Sequence, residues 1–204
     1  MFRNASSFTS DLSAWNVGNV TTMNSMFNGA THFNSNLDAW NVSNVTNMGN
    51  MFYGASNFNG DVSNWDVSNV TEMGNLFRNN PFNQDISNRN VSKVKNMGSM
   101  FQYNEAFNQD ISSWDISSVI ATNSMFFGAK SFNQNIGNRD TSKVTTMSVM
   151  FYGASNFNSD ISNWDVSNVT TMQAMFNGAS QFDQDISSWN IEKVELFDGI
   201  AISG

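Results

Sequence analysis

The sequence predicts an α/β solenoid, a pile of short coils that each carry one short helix and short parallel strands. Three observations predict it. The 204-residue chain copies itself about every 25 residues. Apolar side chains recur at fixed places in every copy. Each copy also joins a helix-spaced segment to a strand-spaced one. A period of this size marks a repeat architecture, in which one unit cannot enclose an interior but stacked units share one.

The copies begin at Met1, Met26, Met51, Leu76, Met100, Met125, Met150 and Met175, which gives eight units read as one repeat domain over 1–204. Seven have 25 residues. The fourth has 24, and the gap falls in "LFRNNPF", at the only proline, Pro81. Met1 already occupies a repeat position, so the segment is expected to be a piece cut in phase from a longer chain. Position 2 of the unit is Phe in all eight copies, from Phe2 to Phe176, and position 8 is Phe from Phe8 to Phe182. Position 20 is always Val, position 12 is always Leu, Val or Ile, and all 13 methionines fall at positions 1 and 23. Burying such side chains gains ~1.5–3 kcal/mol each, against a comparable cost of ordering the coil. These columns are therefore assigned to the core.

The helix is read from "SNVTNMGNMFYGAS" (43–56). Val45, Met48, Met51 and Phe52 recur at i, i+3, i+6 and i+7, with Ser43, Asn44 or Thr46 to cap the start and Gly54 to end it. The strand is read from "DVSNWDVS" (61–68), where Trp65 and Val67 alternate with polar residues. Equivalent strands would pair in parallel at ~4.8 Å. Because the helix has only about two turns, a parallel β-helix is the alternative. At the end, "IEKVELFDGIAISG" drifts from the pattern and places Phe197 at a Met position, which reads as a terminal cap or a worn repeat.

Composition narrows function. Seventeen acidic residues face nine basic ones, a net charge of -8, so a phosphate-backbone partner is not expected. No apolar run approaches the ~20 residues of a spanning helix, so membrane insertion by this segment is not expected either. Without cysteine there are no disulfides or thiolate metal sites. The sole histidine, His32, sits at a variable position, and there is no phosphate loop or His-containing metal spacing, so an enzyme is not expected.

Units such as "MFYGASNFNSDISNWDVSNVTTM" (150–172) closely resemble the repeats of the BspA-like leucine-rich-repeat surface proteins, over essentially the whole chain. The resemblance implies a leucine-rich-repeat-like, right-handed solenoid, displayed at the cell surface or secreted, and used for adhesion to host proteins or other cells.

The candidate site is position 15. It reads Trp15, Trp40, Trp65, Arg89, Trp114, Arg139, Trp164 and Trp189, holding all six tryptophans, and only arginine replaces them. An unpaired guanidinium is costly in an apolar interior, so the column is expected to lie partly in water. It would serve either as a cation–π ladder between coils or as an exposed binding stripe, Trp and Arg being enriched in interface hot spots. Lys93 follows Arg89 as Lys143 follows Arg139, two coils apart, to receive an acidic partner or to balance nearby Asp. Asp61, Asp66, Asp110, Asp115, Asp160 and Asp165, at positions 11 and 16, offer a Ca²⁺ site. Asn replaces Asp freely in both columns, which instead suits a ladder of hydrogen-bonded turns. No cofactor other than this Ca²⁺ is expected.

The functional expectation is a non-enzymatic, cell-surface or secreted module that mediates adhesion or protein binding through the Trp/Arg column, its partner an extracellular protein or glycan. The alternative is a structural spacer or a self-associating module. Water-facing indoles favour the first; sealed indoles favour the second.

Overall fold

The structure, a computed structural model, describes residues 1–196; the Phe197 position lies outside the described residues. Its unit of construction is the tight turn. Apolar residues three apart close one turn after another, the N–H of the later residue donating to the C=O of the earlier one. In coil 2 these bonds run Ala30 to Phe27, Phe33 to Ala30, Trp40 to Leu37, Val45 to Val42 and Met51 to Met48, at 2.8–3.1 Å. Each turn places apolar side chains at its two ends and small or polar residues at its bend. The ends point inward and the bends meet water.

The expected helix and strand are absent. Among the described residues there is no helix, and β structure is confined to single bridging residues, so neither the α/β solenoid nor its parallel β-helix alternative holds. The i, i+3 spacing of Val45, Met48 and Met51 belongs to consecutive turns. Asn50 (φ 57°) and Gly54 (φ 69°) lie in the left-handed region and break the helical course twice within five residues. Between them the N–H groups divide. Met51 and Tyr53 donate within the coil, whereas Met48, Asn50, Phe52 and Gly54 donate to Glu72, Gly74, Leu76 and Arg78 of the next coil. A helix would spend all of these internally. In the expected strand, Trp65 closes a turn on Val62, while Ser63 and Ser68 donate their N–H groups to the carboxylates of Asp61 and Asp66.

The coils stack in register. One residue in each forms a parallel bridge with its equivalent: Thr22, Asn47, Glu72, Asn96, Ala121, Thr146, Thr171 and Leu196. Just before it, each position-21 N–H donates to the same position one coil back, from Thr46 to Thr21 through to Glu195 to Thr170. On another wall the Asn59 N–H donates to the Asn34 side chain at 2.8 Å, and the same bond repeats to Asp183 on Asn158.

The interior is built on paired phenyl rings. Within a coil the position-2 and position-8 rings stack face to face, 3.8 Å apart for Phe52 and Phe58 and 3.7 Å for Phe101 and Phe107. Between coils each ring follows the last at about 6 Å, as from Phe101 to Phe126 (5.8 Å) and Phe107 to Phe132 (6.0 Å). Val, Leu, Ile and Met at positions 1, 12, 17, 20 and 23 fill the remaining volume and are buried in coils three to seven.

Coil four is the exception. In coils two, three, six, seven and eight a position-7 N–H donates to the position-6 carbonyl of the coil before, as Asn57 does to Thr31 and Ser131 to Glu105. Coil four lacks that residue and has Pro81, which has no N–H. Buried asparagines repair the inner side: the Asn80 side chain accepts from Phe82 N–H and donates to Phe52 C=O, and that of Asn104 accepts from Phe107 and donates to Phe82 C=O. On the outer side the Ser56 and Pro81 carbonyls receive no hydrogen bond among the described residues.

Phe107 is fully buried, so Phe107→Ala is expected to cost about 3–5 kcal/mol, read as a lowered midpoint in denaturant unfolding. An unchanged midpoint would contradict the core assignment.

Candidate functional site

Most of position 15 is turned away from water, although Arg89 and Arg139 are only half-buried. Trp40, Trp65, Trp114, Trp164 and Trp189 are buried, and only Trp15, in the first coil, is exposed, at 42%. Each buried indole N–H donates to the position-12 carbonyl of the preceding coil: Trp40 to Leu12 (2.8 Å), Trp65 to Leu37 (2.7 Å), Trp114 to Ile86 (3.0 Å), Trp164 to Ile136 (2.9 Å) and Trp189 to Ile161 (3.2 Å). The column is a row of locks between coils.

Arginine fits the same lock. Arg89 donates through Nη2 to Val62 C=O and through Nη1 to Trp65 C=O, while Arg139 donates through Nη2 to Ile111 C=O and through Nη1 to Trp114 C=O. Val62 and Ile111 stand at the acceptor position that indoles use elsewhere. The expectation that arginine marks an exposed column fails for these tryptophans, because turn carbonyls satisfy most of the guanidinium and let a half-buried arginine stand in a largely buried row. The fit is imperfect. Arg139 Nε is buried without a partner, and burial, only partly opposed by Asp110, pushes its pKa down to about 10. Burial lowers that of Arg89 too, against the raising influence of Asp85 and Asp61. Beside each arginine lies a largely apolar cavity, about 20 Å³ at Arg139 and about 30 Å³ at Arg89.

The lysines stay outside. Lys93 donates to Asn69 Oδ1 at 2.7 Å. Its charge helps hold the Asp66 carboxyl low, as that of Lys143 does for Asp140 and Asp115.

The aspartates cap turns. Asp61, Asp66, Asp110, Asp115, Asp160 and Asp165 each accept the N–H of the serine two residues on. At Asp66, Asp115 and Asp165 the serine hydroxyl, then its N–H, lowers the pKa from the ordinary 3.8; at Asp110 and Asp160 the order reverses. Among the described residues no three acidic or histidine side chains group as metal ligands, and no helix is long and apolar enough to cross a membrane.

Three overlapping stretches, residues 1–81, 57–140 and 132–200, match a family described as a Mycoplasma protein of unknown function, DUF285. The chain belongs to this family. No curated protein matches it. Among solved structures, the crystal structure of a TLR13–ssRNA13 complex is 9% identical over 87% of this chain and 35% of that one, with a TM-score of 0.26. The chain thus spans about a third of that protein's length, and a likeness this slight carries no argument.

On this DUF285 repeat frame the surface aromatics went unnoticed in the sequence, because positions 3 and 4 vary between copies. Arg78 lies 4.9 Å over the Tyr53 ring. Two coils on, Tyr103 meets Phe127 edge-on at 5.0 Å, and Phe127 stacks on Tyr152 at 4.6 Å. Their signal was the appearance of large aromatics in a column otherwise filled by polar side chains and glycine.

Trp114→Ala is expected to lower stability by about 3–5 kcal/mol, whereas Arg139→Trp, which installs the majority residue and fills the cavity, should raise it by ~0.5–2 kcal/mol. Denaturant melts read both, and a Trp114→Ala protein as stable as the parent would refute the lock. The carboxyls of Asp66, Asp110, Asp115, Asp160 and Asp165 have folded pKa values below their unfolded ones, so their stabilisation is complete above the ordinary value of 3.8 and disappears as pH falls through the lower folded values. Melting temperature should therefore hold from pH 7 to about 5 and drop below about 4; a rise on acidification would count against the capping role.

Proposed function

We propose that this chain is a non-enzymatic structural module, a spacer displayed at a cell surface that sets the reach of other parts of a longer protein. One observation carries the reading: the residues best suited to grip a partner, the tryptophans and arginines of position 15, are spent on holding coil to coil. Adhesion through that column loses its support, since a partner would have to open the core to reach it. The BspA-like resemblance of the repeats supports surface display. The carboxylates, engaged in capping turns in nearly every coil, offer no singular reactive pair.

A spacer of this kind should lengthen by addition. Inserting a second copy of residues 125–174 after 174 adds two units in phase, and small-angle scattering is expected to show a maximum dimension greater by about 10 Å. The melt should stay cooperative at the same or a higher temperature. Loss of folding, or growth in girth instead of length, would overturn the spacer.

A further inference from the structure

We propose that the notch at coil four is a binding site for a neutral sugar ring, with Tyr103 as its stacking platform. The missing residue leaves an open cavity of about 270 Å³ lined by Ser56, Asn79, Asn80, Pro81, Tyr103 and Glu105. That size, just below the usual ~300–1,000 Å³ of ligand clefts, suits one ring of a ligand and not a folded partner.

The chemistry of the lining selects the class. The Ser56 and Pro81 carbonyls receive no hydrogen bond among the described residues, because the peptide mesh breaks on both sides of Pro81. The exposed side-chain amide of Asn79 makes none among the described residues, so both a donor and an acceptor stand beside them. Glu105 Oε1 accepts from Lys130 Nζ at 2.8 Å, which leaves its second oxygen as an acceptor on an already neutralised pair. The wall therefore asks for a ligand with several donors and no charge. Hydroxyl groups meet that demand. A peptide strand does so less well, since the two open carbonyls lie on successive coils and not along one edge.

Tyr103 supplies the apolar half of the site. Its ring lines the notch, is 48% exposed, and packs against Gly128 of the next coil, where an added Cβ would meet Cδ1 at 2.9 Å. It holds φ 56° at a place where other coils use glycine or asparagine, residues that adopt the left-handed region at little cost. The fold thus keeps a strained aromatic where it does no core work, a pattern associated with functional positions. Phe127 and Tyr152 continue the aromatic strip over the next two coils, so the sugar chain would run along the wall from the notch. A spacer carries such a site without either role depending on the other.

The test uses the whole chain on an array of neutral gluco-, manno-, galacto- and N-acetylglucosamine oligosaccharides, followed by amide NMR titration with the tightest of them. Binding is expected to shift the Asn79, Tyr103 and Glu105 amides. Tyr103→Gly should weaken it at least about ten-fold while holding or raising the melting temperature, since glycine relieves the backbone. A second variant, with Pro81→Ser and one asparagine inserted before Phe82, restores a 25-residue coil and should abolish binding by closing the mesh. No oligosaccharide retained at millimolar concentration, binding untouched by Tyr103→Gly, or selective retention of charged peptides would each overturn the proposal.

Discussion

The structure depends on the stacked phenyl pair. The Phe at position 2 and the Phe at position 8 stand at the two ends of a pair of consecutive turns and meet face to face, 3.7–4.1 Å apart from the first coil to the last. One coil sits on the next in register, so that rings follow rings at about 6 Å and backbone N–H groups of one coil meet carbonyls of its neighbour, the Ser56 and Pro81 carbonyls excepted. A smaller side chain at either position would lose its stacking partner within the coil and interrupt the column of rings between coils.

The mesh explains why the coils are made of turns. Where N–H groups alternate between an intracoil and an intercoil acceptor, the backbone must reverse its local hand at regular points. It does so at position 25 even where the residue is ill suited: Val149 adopts φ 50° and Ala174 φ 49°. A β-branched residue rarely takes that conformation by choice. The Val149 N–H meets Gln173 C=O at 2.8 Å, and it is the neighbouring coil that imposes the geometry.

Some of this was legible in the residues and some was not. The phenylalanine, valine and methionine columns announced a shared interior, because only burial makes such places so intolerant of change. The helix at 43–56 was misread because a three-residue apolar spacing belongs equally to a helix and to consecutive turns; Gly54 hinted at a left-handed stop, but nothing marked Asn50 as another. The Trp/Arg column was misread for a chemical reason. A guanidinium was taken to need water or a carboxylate, yet backbone carbonyls at Val62, Trp65, Ile111 and Trp114 supply its acceptors, and no one-dimensional signal reveals their aim. The irregular fourth copy was plain from Pro81, whereas the two carbonyls it strands were visible only once the coils were stacked.

The shared acceptor of indole and guanidinium has a consequence for how such chains change. Each copy makes the same demand of the one beneath it, so almost any copy can follow any other with its junction already satisfied. Unequal crossing-over or polymerase slippage between these near-identical segments would yield shorter and longer proteins that fold at once, and size becomes a heritable trait adjustable in steps of one copy.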